Sequence, residues 1–397
     1  MLMKTWLAKQ IQLVPSDLAL KHKRMKRDAF LYFRSTFYRW VQVWPEVCRD
    51  VVTAPLLLAI GDAHVEKFGT WRDSEGRLVL GTNDFDEVYP LPYTNDLVRL
   101  AGSATLAADT KQLAIKPKAA CDALLTGNTE GLNSGGQPFV LAEEHWWLRG
   151  IATNALRNPV KFWENMEALP PVKGTVPHSV RIALDHLMPE SGLPYRLKRR
   201  VSGLGSLGCP RFIALADWQG VRLPVRRKPW GSPPVCGQER TMDPTPSSIS
   251  LYWIRLFGAK ILLCGYKVAS LYDGSSPTAR ALNCPHCRKN EMRPISCTRW
   301  VGETANVHLG THKAIRAIQR DLATRKPKWL HRAAKQMTSV MTNDWREWRK
   351  PNSASLEVLN TTPNEHEVLD TFAVIDLTAR RESLLPVPIL DFFPDGV

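Results

Sequence analysis

Apolar and polar positions divide the chain into stretches of different texture. Residues 1–50 read as helical and aromatic-rich, with Phe30, Tyr32, Phe33, Phe37, Tyr38 and Trp40 crowded together. Thr53 to Ile60 is a short apolar run bounded by Pro and Gly. It fits a buried strand, although periodicity alone does not separate that from a buried helix. Leu78 to Leu80 predicts a second strand. From Asp96 to Lys111 the positions Leu97, Leu100, Ala101, Ala104 and Ala107 follow helical spacing. Residues 126–137, rich in Gly, Asn and Ser, read as a loop. Helical texture returns from Ala142 to about Leu187.

Val201 to Gly208 is a second glycine-rich loop. Phe212 to Leu215 and Val221 to Val225 then read as two strands about a turn at Gly220. Between Gly231 and Ser296 no period holds for long, except that Leu251 to Leu263 reads as one helix. From Ala305 to Trp348 strong helical spacing resumes. Ile315, Ile318 and Leu322 share one face, Leu330, Ala334, Met337, Met341 and Trp345 another, and Pro327 separates the two. No internal repeat is found. This organisation predicts an N-terminal helical segment (1–50), a region carrying the main motifs (51–195), a glycine-loop region (196–298) with an irregular part at 231–298, C-terminal helices (299–350) and a tail (351–397).

Composition limits the function classes. With 44% hydrophobic and 23% charged residues among 397, the chain is of ordinary globular type and long enough for a substantial core. No apolar run approaches the roughly 18–20 residues of a membrane span, so no membrane partner is expected. Lys9 and Gln10 fall where a signal peptide needs its apolar centre, and a cytoplasmic protein is the expectation. The net charge of +15 gathers in Lys21, Lys23, Arg24, Lys26 and Arg27, in Arg196, Lys198, Arg199 and Arg200, and in Arg226, Arg227 and Lys228. No RNP-type aromatic motif or paired finger spacing accompanies these clusters. They describe an anion-tolerant surface, and nucleic acid is not the expected partner. Cys284, His286 and Cys287 form a Cys-Pro-His-Cys unit with Cys297 ten residues on. A structural zinc site usually needs a second pair, so free thiols are the favoured reading.

The residues that suggest chemistry lie between Gly61 and Asp96. An apolar strand ends at Ile60 and delivers Asp62 and His64 into a turn; a second delivers Asp84 and Asp86. Two carboxylates at the ends of neighbouring strands suit phosphoryl transfer. One orients or deprotonates a hydroxyl, and the other holds Mg²⁺, which prefers hard oxygen ligands. Any one of these Asp residues is also an ordinary turn or cap residue, and Asp96, just before an apolar-periodic run, reads as a helix N-cap. Gly203-Leu-Gly205-Ser206-Leu-Gly208 has the Gly-x-Gly-x-x-Gly form. Strand-like segments follow it rather than a helix, which favours a phosphate-covering hairpin over a dinucleotide turn. Lys228, after the next strand, stands where a kinase-like lobe keeps its phosphate contact. Pro224 and Pro229 mark that strand as an edge.

The segments GDAHVEKFGTWRD, NDFDE, Asp96-Leu97 with Arg99-Leu100, GLGSLGCPRF, RNPVKFWENM and ETANVHLGTH together resemble the bacterial family known as domain of unknown function 2252. That family is in turn distantly similar to the aminoglycoside-phosphotransferase and protein-kinase-like fold. The resemblance implies an α+β, two-lobed, kinase-like protein with a largely helical large lobe. It implies ATP and Mg²⁺ as cofactors and an unidentified phosphate acceptor. It makes Asp62 the catalytic base, with His64 supporting its turn. Asp84, beside Asp86, becomes the metal ligand, Gly203, Gly205, Ser206 and Gly208 the nucleotide cover, and Lys228 the phosphate contact.

Two positions depart from the pattern. Lys67 occupies the place of a metal-binding Asn and, as a donor only, does not ligate Mg²⁺. The glycine loop and Lys228 also follow the catalytic turn, so the analogy requires a circularly permuted small lobe. The other readings left open are a kinase-like binding or scaffold protein without turnover, a basic nucleic-acid-associated protein, and a metal hydrolase built on Asp62, His64, Asp84 and Asp86.

Overall fold

A computed structural model describes residues 13–72, 77–82, 85, 87–110, 113, 115–144, 159–201, 204–205, 207–218, 220–227, 252–256, 259–263 and 302–350. The chain is α+β, with small antiparallel sheets set among helices. Three helices come first: α1 (Pro15–Met25), α2 (Ala29–Ser35) and α3 (Phe37–Val47). Asp28 caps α2 by accepting the Leu31 N–H. Next come β1 (Leu56–Ala59), β2 (Phe68–Arg72), β3 (Leu78–Thr82), β4 (Tyr89–Pro92) and the long helix α4 (Tyr93–Asp109). They lead into α5 (Pro117–Ser134), β5 (Phe139–Val140) and α6 (Leu141–Glu144).

The strand at 56–59 and the strand at 78–82 both form, but they are not neighbours. β1 pairs with β4, whereas β3 lies between β2 and β5 in a separate sheet. Each motif strand is completed by a strand that the periodicity does not reveal. β2 is Phe-Gly-Thr-Trp-Arg and β4 is Tyr-Pro-Leu-Pro, and neither alternates cleanly. The loop expected over 126–137 is also corrected, because α5 runs to Ser134 and ends at Gly135 in the left-handed region, φ +75°. One of its glycines, Gly131, serves close approach. A Cβ on Gly131 would sit 2.7 Å from the Ala305 Cβ.

A second, smaller body follows. α7 (Pro159–Ala168) and α8 (His178–Leu187) precede the antiparallel sheet β6 (Tyr195–Arg199), β7 (Phe212–Trp218) and β8 (Val221–Arg227). The central strand β7 alternates as a doubly covered strand must. Phe212, Ala214 and Ala216 pack with Val180, Leu184 and Met188, while Ile213 and Leu215 pack with Met166. The two strands about Gly220 form as expected, and β8, with Pro224, is an edge. The segment Leu251–Leu263 is a hairpin rather than one helix. β9 (Tyr252–Leu256) pairs with β10 (Ala259–Leu263), and aromatic and branched residues favour extended chain there.

The C-terminal helices return to the first body. Residues 302–309 form α9, followed by α10 (His312–Thr324) and α11 (Trp329–Arg349). Ile318, Leu330, Ala334, Met337 and Met341 enter one continuous core with Phe30, Phe33, Trp40, Leu97, Leu100 and Leu124. α11 crosses α4 closely, with Thr338 and Phe33 both against Gly102. α9 carries a buried polar side, comprising Glu303, Thr304, Asn306 and His308. Asn306 exchanges two hydrogen bonds with the backbone of Gln137, and its amide donates to Glu303. Burial pushes the Glu303 carboxyl up to about 8, against the lowering effect of bonds from Asn306 and the Phe139 backbone.

This carboxyl predicts a pH-dependent stability. The folded chain keeps the Glu303 proton up to about pH 8, whereas the unfolded chain releases it near the ordinary value of roughly 4.3. Its contribution is therefore complete below the ordinary value and declines as pH rises through the window to about 8. Glu303→Gln is expected to flatten urea-unfolding stability between pH 5 and 8. A decline as steep as that of the native chain would contradict the assignment.

Candidate functional site

The turn after β1 is assembled on one face of α4. Asn95, Arg99 and Ser103 recur at four-residue spacing and Asp96 lies beside them, so all four share a side of the helix. Each reaches the turn. Asn95 donates to the Gly61 carbonyl at 3.1 Å, and Asp96 accepts the Ile60 and Gly61 N–H groups at 2.7 and 2.9 Å. Ser103 accepts the Val65 N–H at 2.9 Å. Asp96 is therefore not the N-cap of its helix. The helix begins at Tyr93, and the Asp96 carboxylate binds backbone from another element. Nearly every residue from Tyr93 to Ala107 is buried, the polar ones included.

Arg99 is fully buried and donates through Nε and Nη2 to Asp62 Oδ1, the Nε bond being 2.7 Å. Nη2 also donates to the Phe33 carbonyl at 3.1 Å. The guanidinium lies 4.3, 4.8 and 5.0 Å from the ring centres of Phe33, Phe37 and Trp40. A weakly hydrated planar cation suits such an aromatic cage. Trp40 in turn donates to Asn95 at 2.9 Å. The aromatic crowding at 30–40 thus surrounds the cation that holds Asp62.

The other carboxylate oxygen of Asp62 faces different groups. Oδ2 lies 3.8 Å from His64 Nε2 and 4.0 Å from Lys67 Nζ. Both separations exceed a hydrogen bond. Asp62, His64 and Lys67 are all buried. His64 Nδ1 accepts the Glu66 N–H at 3.2 Å, which leaves the hydrogen of the neutral ring on Nε2. Burial, then the positive charges of Arg34, Lys67 and Arg99, hold the imidazole well below its usual range. Arg34 forms an ion pair with Glu66. Gly61 adopts φ +79°, and a Cβ there would fall 2.1 Å from the Glu87 carbonyl oxygen, so glycine is required on both counts.

The glycine-rich loop joins β6 to β7. Gly205 and Gly208 lie within the described residues, and the segment rests on the first body. Lys21 Nζ donates to the Gly205 carbonyl at 2.7 Å, and the Val14 N–H donates to Gly208 at 3.0 Å. A Cβ on Gly205 would meet the Arg34 carbonyl at 3.5 Å. Arg34 is the residue paired with Glu66, two positions after His64. The loop and the Asp62 turn are thus bridged by one residue. Leu204 and Leu207 are buried, and Arg199, at the end of β6, binds Asp17 at 2.7 Å.

The expected site residues fall into two groups. Asp62 and His64 are together, and Gly205 and Gly208 sit against α1 and α2. Gly203, Ser206, Asp84, Asp86 and Lys228 lie outside the described residues, as do Cys284, Cys287 and Cys297. Among the described residues no cluster of three His, Cys, Asp or Glu side chains is placed to hold a metal. The groups around Asp62 are cationic or neutral donors, which do not fit a metal at that carboxylate. Sequence reasoning gave no role to Arg99, Asn95, Ser103, Arg34 or His308. The missed signal was a polar row at four-residue spacing inside an apolar helix.

Residues 13–128 match the family model described as "Uncharacterized protein conserved in bacteria (DUF2252)". Over this span, which contains α1–α4, the Asp62 turn and most of α5, the chain carries the pattern of that bacterial family. No curated protein and no solved structure matches the chain.

Two substitutions test this geometry. Arg99→Met leaves Asp62 with one oxygen unmatched in the interior and is expected to cost roughly 3–5 kcal/mol in urea unfolding. Asp62→Asn should recover part of that loss in the double variant. Gly61→Ala meets both a left-handed φ and the Glu87 carbonyl and is expected to cost roughly 3 kcal/mol or more. A melting temperature within a degree of the native value would contradict the assigned geometry.

Proposed function

We propose that the chain is an ATP- and Mg²⁺-dependent phosphotransferase acting on a hydroxyl group. The observation that carries this reading is that the two motifs both adjoin Arg34. The glycine-rich connection lies between the first two strands of a three-stranded antiparallel sheet, and Lys228 follows the third strand. The connection rests against Arg34, whose side chain pairs with Glu66 of the Asp62 turn. A phosphate-covering loop and a candidate base need this proximity, because phosphoryl transfer depends on positioning and charge stabilisation.

In this reading Arg99 fixes Asp62 through Oδ1 and leaves Oδ2 to the acceptor. A hydroxyl oxygen between Oδ2, His64 Nε2 and Lys67 Nζ would donate to the carboxylate and accept from one nitrogen. The 3.8 and 4.0 Å separations leave room for it. Neutral His64 orients the hydroxyl rather than adding charge. Asp84 and Asp86 are the residues that would hold Mg²⁺, which offsets the charge of the nucleotide phosphates. Burial of Asp62, with its side chain 11% exposed, restricts the acceptor to a slender hydroxylated group.

A second reading, a kinase-like binding protein without turnover, is favoured by one specific observation. The Lys67 ammonium stands 4.0 Å from Asp62, in the position of a metal ligand. Gain of activity in Lys67→Asn would select it, and full turnover with Lys67 in place would eliminate it.

Millimolar Mg-ATP is expected to raise the melting temperature by several degrees, and Asp84→Ala to abolish the shift. Asp62→Asn is expected to retain the shift and lose phosphate transfer from γ-labelled ATP by at least a hundredfold. The absence of any shift with Mg-ATP would count decisively against a nucleotide site.

A further inference from the structure

The motif ETANVHLGTH at 303–312 has no part in the chemistry above, yet it makes polar contacts with the elements that bear the site. It comes from α9 and the turn after it, far outside the segment 13–128 that matches the family model. His308 and Asp96 are both fully buried, and His308 Nε2 lies 3.1 Å from Asp96 Oδ2. The same Oδ2 accepts the Ile60 N–H at 2.7 Å, and Oδ1 accepts the Gly61 N–H at 2.9 Å. Three residues on, the Thr311 hydroxyl accepts the Leu58 N–H of β1 at 3.1 Å. At the other end of α9, Asn306 exchanges bonds with Gln137, and the Phe139 backbone bonds Glu303. Phe139 begins β5, the partner of β3, and β3 runs toward Asp84. This helix and the turn after it therefore contact α4 through Asp96, β1 through Leu58 and β5, the partner of β3, through Phe139.

We propose that His308 is a positioning residue for Asp62 and acts through Asp96. The Asp96 carboxylate accepts and does not touch the candidate reacting atoms. Its two oxygens set the directions of consecutive N–H groups, at Ile60 and Gly61, and so the orientation of the peptide leading into Asp62. Both oxygens of this carboxylate already receive N–H groups from the turn, and the donor from α9 adds a contact from a third element on the oxygen that also receives Ile60. Charge-assisted bonds of this kind are stronger than neutral ones and are strengthened further in a dry interior. The site is thus completed by a helix more than two hundred residues downstream of its central motif.

The assignment of His308 to turnover rests on the phosphotransferase reading, so the test uses two readouts, one independent of activity. The full-length chain, labelled with ¹⁵N, is compared with His308→Leu, His308→Gln and His308→Asn. Glutamine retains a donor with the reach of Nε2, and asparagine retains polarity without the reach. The Ile60 and Gly61 amide protons are expected to shift and to exchange at least tenfold faster in the Leu and Asn variants, with Gln close to native. Phosphate transfer should fall about tenfold to a hundredfold in kcat with KM nearly unchanged, and recover in Gln. Ile60 and Gly61 amides that are identical in native and Asn or Leu variants would overturn the proposal. Where Leu fails to fold, the contrast between Gln and Asn decides by the same criterion. If the native chain shows no phosphate transfer, the phosphotransferase reading fails while the amide readout still decides the positioning role.

Discussion

The buried pair between Asp62 and Arg99 is the constraint on which the rest of the first body depends. Taking two charges out of water costs several kcal/mol each, and attraction between them offsets this only when their other hydrogen-bonding groups are also met. The surroundings of Arg99 meet that requirement at Nε and Nη2, whereas Nη1 is buried without a hydrogen-bond partner among the described residues. The Phe33 carbonyl accepts one guanidinium N–H, and three aromatic rings cover the cation. Placing Arg99 there forces α4 to bury its polar face. α11 crosses this helix with Thr338 against Gly102, beside the face that carries Arg99. Helices from the two ends of the described chain thus pack around the helix that carries this ion pair.

Much of this was legible in the sequence, but unevenly. The two C-terminal helices, their faces and the break at Pro327 follow directly from helical spacing, because those helices are amphipathic and solvent marks their outer sides. The strand expected within Thr53 to Ile60, observed as Leu56–Ala59, and its Asp-x-His turn were equally visible. α4 was visible as a helix, yet its role was hidden. Leu97, Leu100, Ala101 and Ala104 showed one apolar stripe, and a polar opposite face is ordinarily taken as solvated. Here Asn95, Asp96, Arg99 and Ser103 are the working face. Local pattern reports polarity and not burial, and the partner that buries these residues is a turn more than thirty positions away. The same limit explains why β4 was missed. Tyr-Pro-Leu-Pro carries no strand signal, and its pairing with β1 determines its conformation.

The basic character of the chain also takes on a different meaning. The cations at 21–27 and 196–200 suggested an anion-tolerant surface. Lys21 is instead bound to the Gly205 carbonyl, and Arg199 to Asp17. Both fasten the small sheet to the first body. Arg99 and Lys67 are buried within the site. Part of the excess charge therefore serves internal attachment, and the glycine-rich segment is held in place by it. Its buried leucines and the contact of Gly208 with Leu18 oppose the picture of a free flap.

The arrangement around Lys67 bears on the chemistry most directly. Two positive groups, Arg99 and Lys67, flank the two oxygens of one carboxylate, and His64 between them is kept neutral by burial and by those same charges. A divalent cation placed at this carboxylate would meet repulsion on both sides. An anion close by would meet the opposite field. A transferring phosphoryl group carries negative charge that a fixed ammonium in a dry site stabilises without reorganisation. On the proposed reading, Lys67 supplies a positive charge beside Asp62 at the sequence position where the kinase-like pattern has a metal-binding Asn. Its short tether, five residues from Asp62 in a turn closed by the Lys67 N–H and His64 carbonyl at 2.8 Å, keeps that charge fixed relative to the carboxylate. On the phosphotransferase reading proposed above, Lys67 therefore changes how charge is compensated at the turn and does not remove that compensation.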